Sequence, residues 1–125
     1  MSLLLDTHAL LWWLSDDDRL SVSTRASIRD PERLVYVSAV TVWEIAIKRT
    51  LGKLEAPGDL LDAIGESGFS TLAISMKHAW AAGQLSRCHG DPFDRMLIAQ
   101  AMHENLTLVT ADDRILQYDV ATLRA

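Results

Sequence analysis

Four short apolar runs without helical periodicity recur along the chain: Ser2–Leu5, Arg33–Ser38, Ser70–Ile74 and Leu106–Val109. Each is separated from the next by a stretch with the 3.6-residue rhythm of a helix, and no Asn-Gly or Asp-Gly pair signals a hairpin between any two of them. Strands that do not return by tight turns must return by crossovers, and crossovers place helices on the sheet faces. The alternation therefore predicts an α/β chain: a three-layer α/β/α sandwich around a central parallel sheet of four to five strands, in one domain over residues 1–125. A short fifth strand is expected at an edge, over Asp119–Ala121.

The helices are punctuated by their usual signals. One is expected over about Thr7–Leu14, broken by Asp16, Asp17 and Asp18, and a second over Ser23–Arg29 before Pro31. Val40–Leu51 follows, closed by Gly52, and Pro57-Gly58 opens Asp59–Gly65. Ser75 is placed to cap the helix containing His78 and Trp80, Ser86–Gly90 reads as loop, and Pro92–Glu104 as helix. There is no run of roughly 20 apolar residues to span a membrane, and the apolar amino terminus is interrupted by Asp6 and His8, unlike a signal peptide. A single cysteine, Cys88, fits a reducing compartment, so the expected location is the cytoplasm.

In a parallel sheet, ligands bind outside the carboxyl ends of the strands. Asp6 falls directly after the first strand and Asp112 just after the fourth; either could instead be the N-cap of the next helix. Glu44 stands at i+4 from Val40, with Ile47 and Leu51 at i+7 and i+11, so a carboxylate lies inside an apolar stripe. Its bland alternative is an i, i+4 pair with Lys48 on a solvated face. Asp94 shares a helical face with Leu97, Ile98 and Ala101, although an acid in a first turn also complements the helix dipole. Asp91, followed by Pro92, reads as an ordinary N-cap.

Taken together, the four acids repel one another unless something positive sits among them. A divalent ion resolves that conflict, and ligands that are all oxygen favour Mg²⁺, with Mn²⁺ as substitute, over zinc. Such ions lower the pKa of a bound water and brace phosphoryl oxygens, which is the chemistry of phosphodiester hydrolysis. Twelve Lys and Arg against seventeen Asp and Glu give a net charge of −5, so any nucleic acid must be held locally rather than on a broad cationic surface. Lys48 and Arg49 follow Glu44 by one turn, and Arg95 adjoins Asp94; Arg95 could hold substrate phosphate or pair with Asp91 or another acid.

The segments LLLDTHALLWWL, SAVTVWEIAIK, DPFDRMLIAQA and LTLVTADDRIL, in that order, resemble the PIN domain, and closely the VapC-type toxins of bacterial toxin–antitoxin pairs. The resemblance spans essentially the whole chain. It implies a PIN-like fold and a Mg²⁺-dependent endoribonuclease that cuts RNA, often tRNA, is inhibited by a small VapB-type antitoxin and pairs as a homodimer. Carried over by position, the metal-binding and catalytic acids are Asp6, Glu44, Asp94 and Asp112, with Asp113 as a neighbouring candidate for the fourth. Thr7 and Thr110 are candidates to hold a ligating carboxylate or a water, and Lys48 and Arg95 to support the site.

Two alternatives remain beside it. A catalytically silent PIN-like binding module would keep the fold without the reaction. A receiver-type phosphorylation switch needs an acid pair after the first strand and an Asp after the third, where this chain has Asp6 alone and Ile74-Ser75. A dehalogenase-type phosphatase needs a second Asp where His8 stands. Trp12, Trp13 and Trp43 suit a core, yet Leu10–Leu14 is apolar on nearly all sides, which suggests a partner surface. The four histidines show no zinc spacing, and Cys88 beside His89 forms no dyad.

Overall fold

The computed structural model describes residues 1–125. Its strands are β1 Leu3–Leu5, β2 Val35–Ser38, β3 Ser70–Leu72, β4 Thr107–Thr110 and β5 Thr122–Arg124. Its helices are α1 Thr7–Leu14, α2 Val22–Arg29, α3 Ala39–Thr50, α4 Leu60–Glu66, α5 Met76–Gln84 and α6 Pro92–Glu104. The strands form one sheet in the order β3-β2-β1-β4-β5, and every pairing is parallel. The α/β sandwich expected from the alternation is thus the observed architecture.

The sheet divides the core in two because side chains alternate across a strand. Leu3 and Leu5 of β1 face one cluster with Leu10, Ile28, Val37, Ile45 and Ile64, whereas Leu4 faces the other with Val40, Leu97, Ile98 and Leu108. β1 is fully buried on both faces, which is why it reads as an unbroken apolar run rather than an alternating one. Ser38 and Gln100 are buried polar groups that satisfy each other: the Ser38 hydroxyl donates to Gln100 Oε1 at 2.6 Å, tying the end of β2 to α6.

The helix boundaries follow local chemistry. Asp91 accepts from the Phe93 and Asp94 N–H groups at 2.8 and 3.1 Å with Pro92 at the first helical position. Asn105 closes α6 in the left-handed conformation at φ 56°, a position asparagine tolerates. The last strand departs from expectation. The residues Asp119–Ala121 form no strand; a 3₁₀ segment, Asp113–Gln117, consumes the chain first, and Thr122–Arg124 pairs with Leu108–Thr110 instead. Three-residue edge strands carry too little periodicity to fix their register from sequence.

Connectivity places the site. From β1 the chain moves outward to β2 and β3, then crosses back to β4 on the other flank of β1. The carboxyl ends of β1 and β4 therefore border a topological switch point, where the diverging connections leave a crevice. The receiver-type reading fails here as well, since that fold orders its strands 2-1-3-4-5.

Candidate active site

Asp6, Glu44, Asp94 and Asp112 come from four elements more than a hundred positions apart, and all line one cleft of about 440 Å³ at the switch point. Thr7, His8, Trp12, Arg19, Lys48, Asp91, Ala111 and Arg114 complete its wall. The fold delivers each acid by a different device. Asp6 leaves β1 and caps α1, accepting from the Ala9 N–H at 2.8 Å, so its capping and site-lining positions are one and the same. Glu44 projects from the buried face of α3, and its burial is as complete as the apolar stripe suggested. Asp94 stands in the first turn of α6. Asp112 follows β4 and caps the 3₁₀ segment through the Arg114 N–H at 2.9 Å.

The acids differ in what neutralises them. Glu44 accepts from the Thr7 hydroxyl on one oxygen and from Lys48 on the other, so the i, i+4 pair exists, but on the cleft wall rather than a solvated face. Lys48 is correspondingly held above the usual lysine range by Glu44. Asp112 makes a bidentate pair with Arg114 at 2.9 and 3.1 Å, which lowers its pKa. Asp94 is raised by burial, a shift that its hydrogen bond from His89 opposes. Asp6 has no cation in contact with it; burial pushes it up to about 6, against the Thr110 hydroxyl and the Ala9 N–H that favour the charged form.

That set of donors fits a hard divalent ion. A carboxyl buried to 5% exposure without a cation, facing a second raised carboxyl, is a site lacking positive charge. Oxygens of Asp94 and Asp112 and the His89 imidazole nitrogen lie within 4.8 Å of one another, so acids from α6 and from the end of β4 come close enough to share one ion. Carboxylate oxygens predominate, which suits Mg²⁺ or Mn²⁺.

The supporting residues divide. Thr7 holds Glu44, and the Thr110 hydroxyl faces Asp6 while accepting from the Asp112 N–H at 3.0 Å. Asp113 turns outward to an exposed pair with Arg124 at 2.8 Å, leaving Asp112 as the acid in the cleft. Arg95 does neither of the things expected of it: its guanidinium donates to the carbonyls of Ala82, Leu85, Ser86 and His89, and is absent from the cleft wall. A side chain in the first turn of α6, one step round from Asp94, points at the end of α5 rather than into the crevice. Arg49 likewise faces a separate groove with Pro57 and Gly58.

Sequence reasoning missed His89 and Arg114. His89 is 3% exposed, with Nε2 at 2.8 Å from Asp94 and 3.5 Å from Asp112. It lies in an irregular loop, where no periodicity reports direction; Arg114, two residues past Asp112, had at least proximity as a signal. His78, His103 and Glu104 also converge, but the Ser75 N–H donates to His78 Nδ1 at 3.0 Å and leaves the ring proton on Nε2, facing Glu104. That cluster is a capping box on α5, with the imidazole engaged at both nitrogens. Of the tryptophans, Trp43 is 59% exposed rather than core, and Trp12 and Trp13 are half-buried.

Comparison with known proteins agrees with this geometry. The PIN domain family model matches residues 3–121. Ribonuclease VapC22 of Mycobacterium tuberculosis is 26% identical over 117 residues, covering 91% of this chain and 89% of its own. In structure the chain is similar to VapBC2 of Rickettsia felis bound to a DNA fragment from their promoter, with TM-score 0.73, 15% identity, and 98% of each chain covered. It is also similar to DNA-bound VapBC of Salmonella typhimurium, with TM-score 0.72, 20% identity, and 98% and 97% covered. A match across nearly the full length, on a fold whose switch-point cleft gathers the four acids, shows that this chain belongs to the PIN domain family and resembles its VapC-type members.

Proposed function

We propose that the protein is a Mg²⁺-dependent endoribonuclease, the toxin of a toxin–antitoxin pair, which hydrolyses phosphodiester bonds of RNA, tRNA among them. The observation that carries this reading is the convergence of Asp6, Glu44, Asp94 and Asp112 on one cleft. The relative named as a ribonuclease and the VapBC neighbours support it. A VapB-type antitoxin is the proposed inhibitor, and a second copy of the chain the proposed partner in a homodimer.

In this reading the four acids hold the ion. When bound, a divalent ion supplies a Lewis acid for the phosphodiester and a means of activating water. The chain's own residues arrange the rest. Thr7 fixes the Glu44 carboxylate, and Thr110 orients Asp6. Lys48 and Arg114 line the cleft as cations, which lets a protein of net charge −5 accept a phosphate backbone locally.

A second reading has one observation in its favour: Glu44, Asp112 and Asp94 already find partners in Lys48, Arg114 and His89, as a silent module would require. Asp6 opposes it, being buried with no such partner. Incubation of purified protein with RNA separates the two. The expected outcome is cleavage that requires Mg²⁺ or Mn²⁺, stops with chelator, and falls by at least about 100-fold in Asp6→Asn and Asp94→Asn, since each loses a charge at the reacting centre. Undiminished cleavage by both variants, with contaminating ribonuclease excluded, overturns the assignment.

A further inference from the structure

The loop between α5 and α6 has no regular structure, yet it is held from two sides. Arg95 of α6 donates to the Ala82, Leu85 and Ser86 carbonyls, each at 2.9 Å, and to the His89 carbonyl at 3.1 Å. Tyr118, buried beyond the 3₁₀ segment, donates its hydroxyl proton to the Ser86 carbonyl at 2.8 Å and accepts from the His89 N–H at 2.9 Å. His89 is thereby fixed through both its N–H and its carbonyl, and its imidazole is held, almost fully buried, behind the acids of the cleft wall. There Nε2 lies 2.8 Å from Asp94 Oδ2 and 3.5 Å from Asp112 Oδ2. Lys48 pairs with Glu44 alone and Arg114 with Asp112 alone, whereas His89 is hydrogen-bonded to the acid of α6 and lies close to the acid at the end of β4 as well.

We propose that His89 is a positioning residue of the candidate metal site: anchored by Arg95 and Tyr118, its Nε2–H donates to Asp94 and fixes that carboxylate beside Asp112, whose Oδ2 lies 3.5 Å from the same nitrogen. The inference rests on reading the cleft as a divalent-metal site. A carboxylate whose rotamer nothing fixes must be reoriented toward its neighbour each time an ion binds, and the His89 hydrogen bond removes that freedom from Asp94. The His89 bond engages one oxygen of Asp94 and leaves Oδ1 without a partner in the chain, available to an ion. Outer partners of this kind set ligand orientation, and their loss commonly weakens metal binding by about 10–100-fold. The same network gives Arg95 and Tyr118 their purpose, since neither touches an acid of the cleft.

The test is calorimetric titration with Mn²⁺ of the metal-free full chain as wild type, His89→Leu, His89→Gln and Tyr118→Phe, with circular dichroism to establish folding. His89→Leu should bind Mn²⁺ about 10–100-fold more weakly, while His89→Gln, which keeps an N–H donor, should recover most of the affinity. Tyr118→Phe frees the His89 N–H and should weaken Mn²⁺ binding by a smaller factor. In RNA cleavage by His89→Leu, the Mn²⁺ concentration for half-maximal rate should rise by the same factor as the dissociation constant, with the KM for RNA unchanged at saturating ion. A purely structural role would lower the melting temperature and leave Mn²⁺ affinity alone; folded His89→Leu with wild-type affinity overturns the proposal. Nitrogen coupling of directly ligated imidazole in the resonance spectrum of bound Mn²⁺ also overturns it. Should His89→Leu fail to fold, folded Tyr118→Phe decides: unchanged affinity overturns the proposal, and reduced affinity supports it. Wild type that binds no Mn²⁺ removes both this inference and the nuclease reading, whereas wild type that binds and variants that bind equally remove this one alone.

Discussion

Asp6 shows how a single buried side chain sets function against stability. Its pKa in the folded protein is about 6, raised from 3.8 chiefly by burial, so the folded state holds a proton that the unfolded state has released between those values. Stability of the metal-free protein therefore falls as pH rises from about 4 to 6, and above 6 Asp6 imposes its full cost, roughly 3 kcal/mol at most. Asp6→Asn keeps an N-cap side chain for α1 but removes the charge. We expect it to flatten that part of the stability curve and to raise the metal-free melting temperature at pH 7, while abolishing cleavage. Denaturant melts of both proteins between pH 4 and 7.5 check this; parallel curves would contradict it.

At the scale of elements, α6 carries two neighbouring residues with opposite destinations. Asp94 faces the cleft, while Arg95 turns to the end of α5 and satisfies carbonyls that the terminating helix leaves unpaired. We expect Arg95→Met to destabilise the fold by about 1–3 kcal/mol, the usual cost of stranding such groups, as read by chemical denaturation. A phosphate-binding arginine would instead raise the KM for RNA and leave stability near wild type. From sequence the two roles could not be separated, because the carbonyls Arg95 meets belong to a loop whose path depends on Tyr118, 23 positions further on. The acids were legible for the opposite reason. Asp6 and Asp112 follow strand ends, and Glu44 and Asp94 interrupt or open apolar helical stripes, so local periodicity already aims them inward. His89 had no such frame, and β5 was too short to announce its own register.

For the whole molecule, the sheet order converts these local directions into a site, and a metal bound there would become part of the folding equilibrium. An ion that binds only the folded chain stabilises it according to RT ln(1 + [L]/Kd), about 2.7 kcal/mol at a hundredfold excess over Kd. Saturating Mg²⁺ or Mn²⁺ should therefore raise the melting temperature of wild type by several degrees and that of Asp94→Asn by much less. Equal shifts in a thermal scan would place the binding outside the acid cluster. No helix of the chain is long and apolar enough to cross a membrane.

The central strands β1 and β4 are adjacent in the sheet yet distant along the chain, and the cleft needs the residue that follows each of them. During synthesis, Asp112 is the last of the four acids to be made, long after Asp6 and Glu44, and until β4 slots in beside β1 the pocket has no far wall. Pairing of β4 with β1 thus finishes the sheet and closes the cleft in a single event, so a chain stalled before that strand owns three of the four acids and no pocket to hold them in.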